Sequence, residues 1–373
     1  MNALKTGKLS VALAIFILLG LAATQPAASQ INALNILELG GLTQEGVRFA
    51  RGINVSGQVA GRSGYVTGSD TRAVLWTVGG IEILGTLSGG DYSGAFAIND
   101  FGQVVGTSNT GDVVRAFRWT TGTGIKDLGT LPKDTGSEAF DVNNHGQVVG
   151  TSSGPKWIRA VLWRSDGRIQ NLGTLPGGDY SRAFALNNSG QVVGTSTSSS
   201  GIRAFLWTST GGMRDLGTLP GDDSSEALDI NNSGQVVGYS TGPNGTRAFL
   251  WTSSAGMQNL GTLPGGNNSR AFGINNLGQI VGSSNSPNGL RAVVWTDINV
   301  LQDVNMLISA LSPDLVLSEA HCINDLGQIV ALSGGGEKPP TAAGDNHEQE
   351  HFYRVFLLSP IQQLVIARGI RTQ

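Results

Sequence analysis

This sequence has few cysteines, few charged residues and little of the apolar periodicity that is typical of helices. A single cysteine, Cys322, excludes an intramolecular disulfide, so stability must come from the core, where we expect Cys322 as a small buried residue. Charged residues make up only 14% of the chain, the net charge is −3, and no run of Lys or Arg occurs, so a nucleic-acid partner is not expected. No window beyond the N-terminus repeats its apolar residues every 3.6 positions, which argues against amphipathic helices.

The first 29 residues have the organisation of a secretory signal peptide. Lys5 and Lys8 form a short positive segment before an apolar run over 9–23. The small residues Ala27 and Ser29 form a cleavage signal. An uncleaved membrane anchor is the alternative, although the run is short for a bilayer span. No second long apolar stretch follows. We therefore expect no transmembrane segment after cleavage, and a protein that is secreted, periplasmic or held at the cell surface.

The remainder, residues 30–373, is one domain built from a repeat of about 44 residues. Its high glycine content, 55 residues, would indicate low complexity if no period were present. An Asn-x-x-Gly tetrapeptide begins at Asn54, Asn99, Asn143, Asn187, Asn231, Asn275 and Asn324. An arginine opens an apolar segment at Arg72, Arg115, Arg159, Arg203, Arg247, Arg291 and Arg354. Landmarks in phase over seven units predict seven copies of one supersecondary unit.

Each unit contains four short strand candidates, a to d in chain order, bounded by Gly, Pro, Asn or Ser. Strand d is apolar on both faces: Ala204 and Leu206 point one way, and Phe205 and Trp207 point the other. Sheets buried on both faces must stack on other sheets, and radial stacking of four-stranded blades achieves this. The sequence therefore predicts an all-β protein, a seven-bladed β-propeller of four-stranded repeats.

Three consequences of this architecture follow from the sequence. Strand a occurs eight times and the other strands seven times, so the first copy (36–40) or the last (361–365) should complete the blade that joins the termini. The b–c connection is Asn-x-x-Gly in every unit, which predicts a tight Asx-stabilised hairpin turn rather than a set of ligands or glycosylation sites. The repeated tryptophans should be buried between blades: Trp76, Trp119, Trp163, Trp207, Trp251 and Trp295.

Several of these motifs follow one another in a fixed order. Asp-Leu-Gly-Thr-Leu, Ala-Phe-x-x-Asn-x-x-Gly-Gln-Val-Val-Gly and Ala-Phe-Leu-Trp occur in sequence over 215–251, with Leu228 in place of the first Phe. In order and spacing they resemble the HAF family of probable extracellular repeat proteins of bacteria, over roughly residues 36–365. The resemblance implies export and a repeat architecture, and it implies no enzymatic residues. Arg stands in strand d where the family name has His.

The a–b loops are the first place where chemistry could reside. They are rich in Gly and carry Asp91, Tyr92, Asp179, Tyr180, Asp222 and Asp223, which we take as the candidate ligand-binding residues. Asp side chains and loop carbonyls could bind Ca²⁺, although the spacing fits no EF-hand, and turn formation explains the same residue types. No other cofactor is expected.

An acidic insertion at 333–353 carries the motif His-Glu-Gln-Glu-His, in which His347 and His351 are candidate metal ligands. A zinc hydrolase needs the two histidines one helical turn apart. Here Gly and Pro precede the motif, and strand d of the last unit follows it directly. This context favours a solvated loop over a catalytic or adventitious metal site.

The seven arginines of strand d suggest a repeated structural role, such as pairing with a strand-a carboxylate (Asp127 or Asp215) or stacking over a Trp. A ring of ligand-binding arginines is the alternative.

The length differences between units collect in the a–b and c–d loops, which share one face of a propeller. We expect a protein or glycan partner there, and an exported binding or scaffold module. The alternative is a secreted hydrolase or lyase acting on a polysaccharide or peptide. The sequence contains no recognisable group of catalytic residues, so an enzyme is the less favoured interpretation.

Overall fold

The computed structural model describes residues 31, 33–42, 47–64, 70–308, 312–334 and 354–361. The expected signal peptide, the histidines His347 and His351, and most of the last copy of strand a lie outside the described residues.

Seven antiparallel four-stranded sheets form a seven-bladed β-propeller, which confirms the expected fold. Blade 1 contains β2 (Val47–Ile53), β3 (Val59–Gly64), β4 (Arg72–Thr77) and β5 (Gly80–Gly85). Blade 2 contains β6 (Ser93–Ile98), β7 (Val104–Thr110), β8 (Val113–Thr120) and β9 (Gly124–Asp127). Blade 3 contains β10 (Gly136–Val142), β11 (Val148–Ser153), β12 (Ile158–Trp163) and β13 (Ile169–Gly173). Blade 4 contains β14 (Ser181–Leu186), β15 (Val192–Ser198), β16 (Gly201–Thr208) and β17 (Gly212–Asp215).

The last three blades complete the circle. Blade 5 contains β18 (Ser224–Ile230), β19 (Val236–Gly242), β20 (Gly245–Thr252) and β21 (Gly256–Asn259). Blade 6 contains β22 (Ser269–Ile274), β23 (Ile280–Ser286), β24 (Gly289–Asp297) and β25 (Val300–Asp303). Blade 7 contains β26 (Leu317–Ile323), β27 (Ile329–Ser333), β28 (Arg354–Pro360) and the N-terminal β1 (Leu34–Leu39).

A blade is offset by one strand from the sequence unit. Each blade takes strands b, c and d of one unit and strand a of the next, so strand b is innermost and strand a is outermost. In blade 7 the outermost strand is β1, paired antiparallel with β28 from Leu34–Pro360 to Leu39–Val355. The first copy of strand a therefore closes the ring, one of the two alternatives that the sequence left open.

The core is divided into seven layers, one between each pair of neighbouring blades. The repeated tryptophans lie in these layers and are buried, as expected from the apolar character of both strand faces. The layer between blades 5 and 6 contains Trp295 together with Val237, Leu260 and Ile280. The seventh tryptophan, Trp157, falls outside the repeat and is exposed.

A short helix, α1 (Val304–Ile308), was not predicted. The sequence placed the seventh copy of strand a at 301–305, but β25 ends at Asp303 and the helix begins at the next residue. Asp303 Oδ1 accepts a hydrogen bond from the Asn305 backbone N–H at 2.9 Å, which fits a helix-capping contact. Val304 and Ile308 are buried in the layer between blades 6 and 7.

The two faces of the propeller differ in their connections. The turn face carries the Asn-x-x-Gly turns and, in blades 1 to 6, the turns between the third and fourth strands. The loop face carries the remaining loops, including those with Asp91, Asp179 and Asp223.

Candidate functional site

All seven innermost strands contain a β-bulge at the same place. In β14 the pairing register shifts between Ala183 and Ala185, which leaves Phe184 without a partner on β15. The equivalent shifts occur in the other six innermost strands. A bulge redirects the extra side chain. Ala183 and Ala185 are buried between blades, whereas Phe184 is only partly buried, as expected for a side chain turned toward the central tunnel.

The seven bulged residues form a belt around the tunnel, which we call the aromatic belt. Its members are Arg51, Phe96, Phe140, Phe184, Leu228, Phe272 and His321. Phe140 lies 5.8 Å from Phe96 and 5.7 Å from Phe184 between ring centres, so aromatic side chains of adjacent blades touch.

Belt contacts continue on the other side of the tunnel. His321 stacks on Phe272 at 5.0 Å with an interplanar angle of 6°. Its Nε2 lies 2.9 Å from a carboxylate oxygen of Glu319. The guanidinium carbon of Arg51 lies 4.8 Å from the ring centre of Phe49 and 6.0 Å from that of Phe96. The belt is thus apolar and aromatic over most of its circumference, with a cation at one position.

Toward the loop face, the innermost strands of blades 3 to 7 alternate in charge. The residues two positions before the bulge are Glu138, Arg182, Glu226, Arg270 and Glu319. Burial raises the pKa of Glu226, while Tyr239, Arg182 and Arg270 act in the opposite direction. Alternation gives each partly buried charge a neighbour of opposite sign, which reduces the cost of burying it.

Four polar atoms in this region are buried without a hydrogen-bond partner among the described residues: Tyr180 OH, Arg182 Nε, Thr195 Oγ1 and Arg270 Nε. Arg182 and Thr195 are cross-strand neighbours, and the Arg182 guanidinium lies 5.8 Å from the Tyr180 ring centre. Burial raises the pKa of Tyr180. Such atoms are unusual in folded proteins and are available to a ligand or to water.

On the turn-face side of the belt, two carboxylates join neighbouring blades. Asp141 accepts hydrogen bonds from Val142 N–H at 2.8 Å and from Leu186 N–H of blade 4 at 2.9 Å. Asp229 makes the equivalent bonds at 2.8 Å to Ile230 and Ile274. Burial raises the pKa of Asp141 to about 7 and that of Asp229 to about 6, although these backbone bonds favour the charged form.

The repeated asparagines form a closed hydrogen-bond ring at the turn face. Each side chain stabilises its own turn: in blade 4, Asn187 Oδ1 accepts from the backbone N–H groups of Ser189 and Gln191. Each Nδ2 also donates to the backbone carbonyl of the next asparagine, and Asn324 donates to Asn54 at 2.9 Å to complete the circle. The predicted turn role is confirmed, and these asparagines also connect the blades.

A pocket of about 180 Å³ opens at the turn face, on the axis. Its wall is a ring of aliphatic side chains: Ile53, Ile98, Val142, Leu186, Ile230, Ile274 and Ile323. Asp141 lies deeper, and the rim carries the second residue of each turn: Val55, Asp100, Asn144, Asn188, Asn232, Asn276 and Asp325. The pocket therefore combines an apolar wall with amide and carboxylate groups.

The predicted a–b loop residues lie on the loop face and are not brought together in one site. The Asp91 carboxylate accepts from Asn109 Nδ2 at 2.6 Å, and Asp179 accepts from Thr197 Oγ1 at 3.1 Å, so both support their own loops. The Tyr92 hydroxyl accepts from Arg62 at 3.0 Å. Asp222 is partly buried and Asp223 is exposed. In the part of the chain that is described, no group of three or more His, Cys, Asp or Glu is placed to hold a metal ion.

The strand-d arginines hold the a–b loops. Arg203 donates to the Asp223 backbone carbonyl at 2.6 Å, and Arg72, Arg159 and Arg247 make equivalent bonds. The expected pairing with Asp127 occurs, at 3.0 Å from Arg115. The structural role predicted for the arginines is thereby supported.

Burial raises the pKa of the Cys322 thiol, as expected for an unreactive cysteine. Across the described ranges, no helix is long and apolar enough to cross a membrane.

Sequence reasoning missed the aromatic belt, although a signal was present. Every belt residue stands three positions before the repeated asparagine of its unit. From the sequence alone, the Phe of Ala-Phe-x-x-Asn is predicted to be an ordinary core residue, because a regular strand would direct it between the blades. Only the bulge turns it away from that position.

No protein-family model matches the chain, and no curated protein matches it in sequence. Solved structures do match. A virginiamycin B lyase from Staphylococcus aureus is 15% identical, with a TM-score of 0.52 over 88% of this chain and 99% of that chain. A streptogramin B lyase is 12% identical, with a TM-score of 0.53 over 89% of this chain and 99% of that one. A prolyl endopeptidase is 12% identical, with a TM-score of 0.52 over 82% of this chain but 47% of its own. At these identities the likeness establishes the β-propeller fold and nothing finer.

Proposed function

We propose that this chain is an exported binding module that holds a ligand on the aromatic belt of its central tunnel. The belt is the observation that carries this proposal. Seven bulges turn side chains away from the interblade core toward a concave, partly exposed surface. Concave aromatic surfaces with a few placed polar groups are typical of ligand sites.

The chemistry of the belt favours a ligand with an apolar ring and one anionic group. Phe140 and Phe184 offer ring faces and edges for stacking. Arg51 supplies the one permanent cation at belt level, and its planar guanidinium matches a carboxylate. A protein, one of the two kinds of partner expected from the sequence, would present a carboxylate at its C-terminus. We place the entrance for the ligand at the loop face, because the buried polar atoms Tyr180 OH and Thr195 Oγ1 on that side of the belt are available to bind it.

The test uses small probes: benzoate, phenylacetate and 3-phenylpropionate, each beside its neutral amide, measured by saturation-transfer NMR. We expect the acids to give stronger transfer than the amides, and Phe140→Ala/Phe184→Ala to abolish it. Phe101→Ala, an exposed phenylalanine on the turn face, is the matched control and should bind normally. Equal transfer to wild type and the belt variant would mean that the belt only fills the tunnel.

Export is the second part of the proposal and rests on the N-terminal segment. Expression of the full chain in a bacterial host should give a product that begins at Gln30 in the extracytoplasmic fraction. A cytoplasmic product with an intact N-terminus would contradict export, and the proposal for the aromatic belt would stand unchanged.

A lyase or hydrolase is the second candidate. Asp141 favours it, because a buried carboxyl with a pKa of about 7 in a pocket wall is suited to general acid–base chemistry. The names of two fold relatives suggest virginiamycin B and streptogramin B as first substrates to try. Turnover that is lost in Asp141→Asn would support an enzyme. No turnover, with belt binding intact, would favour the binding module.

A further inference from the structure

The turn face carries exposed apolar side chains on one side of the axis. Four consecutive blades, 6, 7, 1 and 2, present them in their hairpin turns: Leu277 is 50% exposed, Leu326 63%, Val55 40% and Phe101 75%. At the third position of the turn, blades 3, 4 and 5 instead carry His145, Ser189 and Ser233, and blade 1 carries Ser56, so the apolar side chain of blade 1, Val55, stands at the second position. The turns themselves are fixed by Asn and Gly, so the hairpin geometry does not require an apolar tip. An apolar arc of this kind on a water-exposed surface indicates an interaction site.

The arc borders the pocket on the axis, whose charge is of one sign. Among the described residues that line the pocket are Asp100, Asp141 and Asp325, and none is Lys, Arg or His. Asp100 and Asp325 lie at the rim next to the tips Phe101 and Leu326. A cationic group is therefore favoured at this opening, and nucleic acids or anionic membrane surfaces are disfavoured.

We propose that the turn face docks a protein segment that presents a lysine between apolar residues, with the lysine side chain entering the pocket. The four methylenes of lysine match the aliphatic wall, and its ammonium group matches the carboxylates of Asp100 and Asp325 at the rim. A pocket of about 180 Å³ suits one side chain of this size. The flanking apolar residues of the partner cover the tips of the arc. This surface is separate from the aromatic belt, and the proposal does not depend on the ligand proposed for the belt.

The test is a titration of the purified protein with Ac-Ser-Leu-Phe-Lys-Leu-Ser-NH₂ and with the same peptide carrying Gln or Glu in place of Lys. Asp100→Asn/Asp325→Asn removes both rim charges with little risk to the fold, because blades 3 to 6 already carry Asn at this position. Phe101→Ser/Leu326→Ser removes two tips and introduces the serine found in blades 4 and 5. Asp166→Asn, an exposed aspartate in an outer turn of the same face, is the charge-matched control.

We expect the Lys peptide to bind at least tenfold more tightly than the Gln peptide, and the Glu peptide not to bind. Both double variants should lose at least tenfold in affinity for the Lys peptide, while Asp166→Asn should not change it. Equal binding of the Lys and Gln peptides, or no binding of either, would overturn the proposal. Self-association in sedimentation that disappears in Phe101→Ser/Leu326→Ser would identify a second copy as the occupant and would overturn it as well.

Discussion

At the scale of single residues, Trp295 and Trp157 show how much stability depends on where a tryptophan is packed. Trp295 is buried between blades 5 and 6, and its indole N–H donates to the Leu260 carbonyl at 2.8 Å. We predict that Trp295→Ala lowers the free energy of unfolding by about 3–5 kcal/mol, because a large interblade cavity remains. Trp157→Ala should change it by less than about 0.5 kcal/mol, since this side chain is exposed. Urea unfolding followed by circular dichroism measures both, and equal effects would contradict the layered core.

Asp141 and Asp229 give a prediction for pH. Folding raises the pKa of both acids from 3.8, to about 7 and about 6, so the protonated form is favoured in the fold. Their contribution to stability is complete below pH 3.8 and is lost as the pH rises through the folded values. We predict that the stability difference between wild type and Asp141→Asn/Asp229→Asn changes between pH 4 and pH 7 and is constant above pH 8. Parallel stability curves over pH 4–8 would show that these carboxyls do not titrate differently on folding.

The hairpin turn is the element in which sequence and structure agree most closely. Asn and Gly at fixed spacing specify it locally, so its position could be predicted in all seven units. Strand positions were predicted almost as well, to within a few residues, because both faces are apolar. The bulge could not be predicted: it depends on pairing with the second strand, and the Ala-Phe dipeptide is compatible with a regular strand. The belt was missed for that reason, whereas the loop residues were noticed because Asp and Tyr are chemically conspicuous.

A second ring of hydrogen bonds at the turns is incomplete, which gives a prediction for this element. The second turn residue accepts a bond from the preceding blade, as Asn232 Oδ1 does from Asn188 N–H at 2.9 Å. At the last junction Val55 has no acceptor to offer Asp325 N–H. We predict that Val55→Asn raises the free energy of unfolding by about 0.5–1.5 kcal/mol through the added bond. Val55→Ala is the control, and a gain as large in that variant would attribute the effect to removal of an exposed apolar side chain.

Closure of the ring is a property of the whole molecule, and the N-terminal strand β1 provides it. Leu34 is buried in the layer between blades 6 and 7, whereas Leu37 on the same strand is exposed. Leu34→Ala should lower the free energy of unfolding by about 2–5 kcal/mol, and Leu37→Ala should leave it nearly unchanged. Thermal unfolding of the two variants measures this. Equal melting temperatures would mean that β1 does not support blade 7.

The number of blades follows from the repeat count, but the site does not. The belt residues are about 44 positions apart in the sequence and become neighbours only when the ring closes. The copy of strand a that closes the ring was also undecided, because the first and last copies fit the same edge. Sequence reasoning therefore predicted the architecture and the turns, and the structure was needed to bring seven separate residues to one axis.

A ligand site on the aromatic belt can be tested directly by NMR on protein labelled only in phenylalanine. Ring resonances would be followed during titration with 3-phenylpropionate. We predict shifts for the belt residues Phe96, Phe140, Phe184 and Phe272. We predict none for Phe117, Phe205 and Phe249, which are fully buried between blades, or for Phe101 at the turn face. Shifts confined to Phe101, or the absence of shifts from the belt, would contradict a ligand site on the aromatic belt.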